Sequence, residues 1–205
     1  MSNLTLALGR PTLADRLFTR SIATDAVLVV AGVALTAGLA QVAVPLWPVP
    51  ITGQTLAVLL VGSSLGAVRA SLSMVLYAVL GIVGLPIFSD ASHGWGVVAG
   101  PTGGYIVGFI FAAGLTGWLA QRSWDRRFVG AGLSFLAGSA VVFAFGLPWL
   151  AVSLGLNLEQ TLQAGLYPFI VGGIIKAIIA AAVMSSAWFL IDRTSAVSDT
   201  KNAAE

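Results

Sequence analysis

A chain of 205 residues that is 58% hydrophobic and only 9% charged, with mean hydropathy +0.96, is no water-soluble fold, because soluble domains carry about a quarter charged residues. The formal net charge of +2 comes with no basic patch interleaved with aromatics, which sets nucleic acid aside as a partner. Cysteine is absent, so no disulfide framework, zinc site or iron–sulfur cluster is available, and apolar runs long enough to cross a hydrocarbon core of about 30 Å point to one integral membrane domain.

Residues 1–23 are polar, with Arg10, Asp15, Arg16 and Arg20, and lack the apolar core of a cleaved secretory signal; they are expected to form a retained cytoplasmic arm. Positions 26–68 hold no charged residue, yet Pro45, Pro48, Pro50 and Gly53 divide them, which predicts apolar segments at 24–44 and 55–67. The second is short for a full crossing and is expected to be tilted and supported by its neighbours. Arg69 marks a tight turn into a third segment, 70–85. The irregular stretch 86–104 follows, rich in Gly, Pro and Ser, and a connection of that length inside a compact protein is usually functional or disordered. Three more segments are predicted at 105–121, 129–149 and 167–191, separated by Arg122-Ser-Trp-Asp-Arg-Arg127 and by a polar stretch at 157–163. The fold class is therefore an all-α membrane protein, a bundle of six transmembrane helices spanning 24–192, followed by a polar tail, 193–205, expected to lack fixed structure.

Charge placement gives an independent check. Counting alternate sides, Arg10, Arg16, Arg20, Arg69, Arg122, Arg126, Arg127, Arg193 and Lys201 fall on one side, and the other three loops hold no Lys or Arg. The positive-inside rule then puts both termini in the cytoplasm and the three Gly/Pro-rich loops outside.

One formal charge remains inside the predicted hydrocarbon core: Lys176, in the outer half or near the middle of the last segment. An intramembrane cation needs a partner or a function. Either it snorkels to the interface or bonds backbone carbonyls, or it awaits a substrate carboxylate, with Gly172 and Gly173 letting the ligand approach the helix. At the start of the fourth segment, Gly100, Thr102, Gly103, Gly104 and Tyr105 offer a floor of backbone amides, or else the glycines only permit close helix packing. Thr52, Gln54 and Thr55 either cap the second segment or line a pocket. Phe88, Trp149 and Tyr167 supply aromatic surface near the same face, where interfacial aromatics also occur without any ligand. In the first segment Gly32, Thr36 and Ala40 recur every four residues, as do Ala34 and Gly38, so a partner helix approaches closely, within the chain or from another subunit.

Four segments in order resemble the BioY family, the biotin-binding S components of energy-coupling factor transporters: Val49-Pro-Ile-Thr-Gly-Gln-Thr-Leu56, Gly81-Ile-Val-Gly-Leu-Pro-Ile-Phe88, Gly100-Pro-Thr-Gly-Gly-Tyr-Ile-Val-Gly108 and Gly165-Leu-Tyr-Pro-Phe-Ile-Val-Gly-Gly-Ile-Ile-Lys176. The resemblance implies a six-helix subunit of the bacterial cytoplasmic membrane that binds biotin from outside. It also implies assembly with a transmembrane coupling protein and two ABC-type ATPases that power release inward. Through it, Lys176 corresponds to the lysine that meets the ligand carboxylate, and the small-residue ladder of the first helix to the surface that meets the coupling protein. Many members carry an acidic residue three positions before that lysine, where this chain has Gly173.

Enzymatic patterns are missing: there is one histidine, His93, no GxSxG or HExxH run and no Walker A sequence, so no enzyme and no cofactor are expected, and any ATP is used by other chains. The competing reading is a self-sufficient channel or secondary porter for a small organic acid, with Lys176 as its selectivity or coupling group. A ligand-free scaffold is the third, and it leaves the 86–104 stretch unexplained.

Overall fold

The computed structural model describes residues 10–202, with side chains as far as residue 193. The first nine residues of the expected arm, the Lys201 side chain and residues 203–205 lie outside the described residues. A short helix, α1 (Leu13–Leu17), precedes α2 (Ile22–Ala40), whose start is fixed by Ser21 accepting a hydrogen bond from the Thr24 amide. A two-stranded antiparallel hairpin, β1 (Ala43–Val44) and β2 (Ile51–Thr52), follows, pairing Ala43 with Thr52. Then come α3 (Gln54–Leu65), α4 (Ala67–Ile82), the short α5 (Trp95–Ala99), α6 (Gly103–Ala120), α7 (Phe128–Leu154), α8 (Leu158–Gly165) and α9 (Tyr167–Asn202).

Among the described residues, four helices are long and apolar enough to cross a membrane: α2, α6, α7 and α9 as far as Arg193. The other two expected crossings are shorter, α3 at 12 residues and α4 at 16, or about 18 and 24 Å of helix. Helix α3 is held among its neighbours, with Ala57, Val58, Leu59 and Val61 nearly or wholly inaccessible. Its shortness is thus tolerated because other helices, and not lipid, surround it. Glycines allow that closeness: a Cβ on Gly62 would collide with Thr116 of α6. Gly66, at φ +84°, turns α3 directly into α4, a conformation that side chains resist.

Several boundaries differ from the sequence-based expectation. Helix α7 runs through Pro148 to Leu154 and ends at Gly155, which adopts the left-handed conformation. The polar stretch at 157–163 is largely helical, because Asn157 and Gln160 cap one another's amides at 2.9 and 3.0 Å. The 86–104 stretch holds a 3-10 turn (Ser89–Ala91) and α5, and α9 continues to Asn202 through most of the expected tail. Arg69 is not in a solvated turn: it lies inside α4, 2% exposed, paired with Asp15 at 2.5 Å and Asp25 at 3.4 Å. Asp15 also pairs with Arg20 at 3.2 Å, and Arg10 reaches Ser123 at 3.5 Å. The arginines of the arm, of α4 and of the α6–α7 connection therefore gather at one end of the bundle. There Asp125 is buried and accepts a hydrogen bond from the Trp188 indole of α9 at 2.5 Å, with the Arg126 guanidinium over the same ring.

Candidate functional site

At the end remote from the arginines, the β1–β2 hairpin, the 83–102 connection and the upper parts of α6, α7 and α9 surround a cleft. It has about 550 Å³ of space counted to its open mouth. Lys176 reaches it from α9, nine residues or about 14 Å beyond the start of that helix. Its Nζ donates to the Thr52 carbonyl at 2.6 Å and to the Thr55 hydroxyl at 3.0 Å. Both acceptors are uncharged, and an ammonium carries three donors, so one N–H is left without an acceptor among the described residues.

Thr52 and Gln54 stand where β2 meets α3. The Thr52 hydroxyl donates to Gln54 Oε1 at 2.8 Å and accepts from the Gln54 amide at 3.2 Å, so this threonine satisfies the first amide of α3 and shapes the wall at once. Gln54 Nε2 meets the Tyr77 hydroxyl at 2.6 Å, and that hydroxyl donates to the Ile87 carbonyl at 2.9 Å. The chain of bonds fixes the amide orientation and leaves Gln54 one N–H and one lone pair for a ligand. Phe88 is buried, edge-on to Tyr77 at 5.3 Å, and its carbonyl accepts from Gln41 Nε2 at 3.1 Å. Gln41 Oε1 accepts from the Ala91 amide at 3.0 Å, so this side chain at the end of α2 brackets the turn that covers one flank of the cleft. Asp90 and Ala91 in that turn hold φ of 55° and 54°, left-handed values that non-glycine residues seldom adopt.

The opposite wall is aromatic. Tyr105 of α6 packs near Phe143 of α7 and Phe169 of α9 with ring centroids 6.2 and 6.4 Å away, and its hydroxyl donates to the Gly165 carbonyl at 3.0 Å. Thr102 lines the cleft and donates to the Val97 carbonyl at 3.1 Å.

Lys176, Thr52, Gln54, Phe88, Thr102 and Tyr105 are thus brought together as the sequence suggested. Others are not. Trp149 lies outside the cleft, and its indole donates to the Gly100 carbonyl at 2.9 Å. A Cβ on Gly104 would meet the Trp149 side chain, and one on Gly103 would strike Val98, so these glycines serve close packing and present no floor of amides to the cleft. Tyr167 is 54% exposed and does not line it. Gly172 is not in the wall, and Gly173 borders only a smaller chamber behind Lys176.

Thr55, named with Thr52 and Gln54 in the sequence, lines the cleft as well; residues missed by sequence reasoning are Phe169 and Phe143, together with an apolar lining that includes Val49, Val97, Ile106 and Phe109. A signal for Phe169 was present in the helix period. It precedes Lys176 by seven residues, about two turns, whereas Tyr167 precedes it by nine, about two and a half turns, and so faces away.

The two small-residue ladders of α2 also part company. Gly32, Thr36 and Ala40 are buried against the chain's own helices: a Cβ on Gly32 would crowd Ser73 of α4 at 2.6 Å, and the Thr36 hydroxyl bonds the Gly32 carbonyl at 2.8 Å. Ala34 and Gly38 are exposed, with nothing within 4 Å of where a Gly38 Cβ would stand.

A family model described as the BioY family matches residues 10–193. The chain is 39% identical over 156 residues to a probable biotin transporter BioY of Pyrococcus horikoshii, covering 76% of this chain and 91% of that one. It is 38% identical over 141 residues to a biotin transporter BioY of Rhizobium etli, covering 65% and 75%. Among solved structures, the crystal structure of the S-component for biotin from an ECF-type ABC transporter matches with a TM-score of 0.68 and 25% identity, over 80% of this chain and 88% of that one.

Proposed function

The chain belongs to the BioY family, a family of transporters and not of enzymes, and from that premise we propose that it captures biotin from outside the cell as the substrate-specific subunit of an energy-coupling factor transporter. One observation carries the proposal. Lys176 is the one charged side chain that lines the cleft among the described residues, held by two neutral acceptors, with a third N–H and its positive charge left to meet an anion. Biotin has a carboxylate at one end, an aliphatic chain and a polar ureido ring at the other. The carboxylate pairs with Lys176, the chain lies along Tyr105, Phe143 and Phe169, and the ring bonds the unused donor and acceptor of Gln54 together with Thr102. Gly173, where many relatives carry an acid, leaves the lysine's neutralisation to the ligand.

In this reading α3 and α4 complete six crossings, and the arginine-rich end with both termini faces the cytoplasm of a bacterium, in keeping with the charge distribution. The outward ladder of Ala34 and Gly38 on α2 receives the transmembrane coupling protein, with two ATPases beneath it driving release of the vitamin inward. A thermal-stability panel over vitamins tests the proposal. At a hundredfold excess over its Kd a specific ligand stabilises the folded state by about 2.7 kcal/mol, so biotin alone is expected to raise the Tm of the purified protein. A panel in which biotin is silent, or in which thiamine or riboflavin acts equally, sinks it.

A further inference from the structure

Helices α7 and α9 pack tightly toward the arginine end, where Ala131 and Phe135 share a buried cluster with Ala177, Ala180 and Ala181. Toward the other end both carry small residues, Ala140 and Ala144 on α7 and Gly173 on α9, and between them runs an apolar groove with about 1050 Å³ of space counted to its open side. A Cβ on Gly173 would meet nothing within 4 Å. The rim includes Leu136, Ile170 and Ile174, each more than two-fifths exposed, so the groove opens toward lipid. Behind it, a small chamber is lined by Lys176, Thr55 and Ser139, and Gly173 belongs to the walls of both spaces. Phe143 and Phe169, with ring centroids 6.1 Å apart, border cleft, chamber and groove alike. These two rings and Gly173 line the boundary between the lysine and the groove. Neither the third Lys176 N–H nor the Ser139 hydroxyl has a hydrogen-bond partner among the described residues.

We propose that Lys176 also receives single-chain fatty carboxylates from the bilayer, the carboxylate on the ammonium and the alkyl chain in the α7–α9 groove, so that such amphiphiles compete with the vitamin. The occupant follows from charge and shape together. A cation deep in hydrocarbon favours an anionic head, and a groove of apolar and small residues favours an alkyl chain. From Ser139, which shares the chamber with Lys176, to Leu147 the groove runs about 12 Å along α7, which takes most of the extended chain of dodecanoate. The inference rests on Lys176 being the carboxylate partner in the proposed function.

The test uses the full chain in phosphatidylcholine nanodiscs, with tritiated biotin binding and the NMR signal of carboxyl-13C dodecanoate read side by side. Dodecanoate is expected to weaken apparent biotin binding roughly tenfold or more, and dodecanol, which lacks the charge, to leave it unchanged. Ala140→Phe fills the groove without lining the cleft; it is expected to keep biotin affinity within about threefold and to abolish the competition. Retained biotin binding also reports that this variant folds, and Ala144→Phe serves if it does not. Equal competition in the filled-groove variant would mean that dodecanoate uses the outward cleft, and absence of competition in the parent chain would mean that it does not bind; either overturns the inference. Should biotin itself fail to bind, the vitamin reading falls, and the 13C signal decides alone: a shift lost on Lys176→Met supports the fatty carboxylate, and no shift in the parent chain overturns it.

Discussion

Replacing Lys176 by methionine, which keeps the apolar stem and removes the charge, is expected to weaken biotin binding by about 2 kcal/mol, or roughly 30-fold in Kd. Removing one partner of a buried, hydrogen-bonded charge pair costs about 2–5 kcal/mol, and two features of the site place this case at the low end. The lysine is only partly buried, and its charge is already softened by the Thr52 carbonyl at 2.6 Å and the Thr55 hydroxyl at 3.0 Å. The Thr52 carbonyl loses its donor in the free protein and in the complex alike, so that loss largely cancels from the binding difference. Isothermal titration calorimetry with biotin and with its neutral amide separates charge pairing from packing. The amide should bind the parent chain about 30-fold more weakly than the acid, and the substitution should leave amide binding nearly unchanged. If Lys176→Met weakens acid and amide alike, or neither, the lysine does not meet the carboxylate and the recognition scheme is refuted.

Tyr77→Phe strips the hydroxyl that links Gln54 to the Ile87 carbonyl in a fully buried position, and a drop in stability of about 1–3 kcal/mol should appear as a lower Tm. Burial raises the Asp125 carboxyl to about 6, so its contribution to stability is fully present below its unfolded value near 3.8 and is lost as pH rises through 6. Asp125→Asn should therefore flatten the Tm profile between about pH 4 and 6 and raise the Tm at pH 8; an unchanged profile would show that the carboxylate is relieved in some other way. Asp15 has the opposite sign. Burial pushes its carboxyl up, but the Thr12 amide and Arg69 outweigh that and hold it below the ordinary value, so stability falls as pH drops through the lowered value, and Asp15→Asn should remove that acid loss from the Tm profile. Ala34→Trp places a bulky ring on the outward ladder of α2, and is expected to abolish copurification with the coupling protein without reducing biotin binding; intact copurification would move the contact elsewhere.

Much of the bundle was readable because a membrane leaves few options for the backbone: apolar runs bounded by Pro, Gly and Arg become helices. Long α6, α7 and α9 were located to within a few residues at their starts, and Lys176 was singled out by its isolation. Harder to read was anything set by contacts between distant segments. The β1–β2 hairpin depends on Gly53 and Val42 meeting backbone to backbone at 2.8 Å, and no alternating pattern announces a two-residue strand. Gly103 and Gly104 look alike whether a glycine admits a ligand or a tryptophan, and here Trp149 fills the space. Both ladders of α2 are built from small residues, so only the packing of α4 against one of them tells inside from outside.

The bracket made by Gln41 carries a mechanical implication. Its amide grips the Phe88 carbonyl and the Ala91 amide from the last turn of the helix that bears Ala34 and Gly38. Axial travel or rotation of that helix would pull on the 88–91 turn through this one side chain, so a displacement of α2 is transmitted to that flank of the cleft while the wall formed by α6, α7 and α9 is left in place.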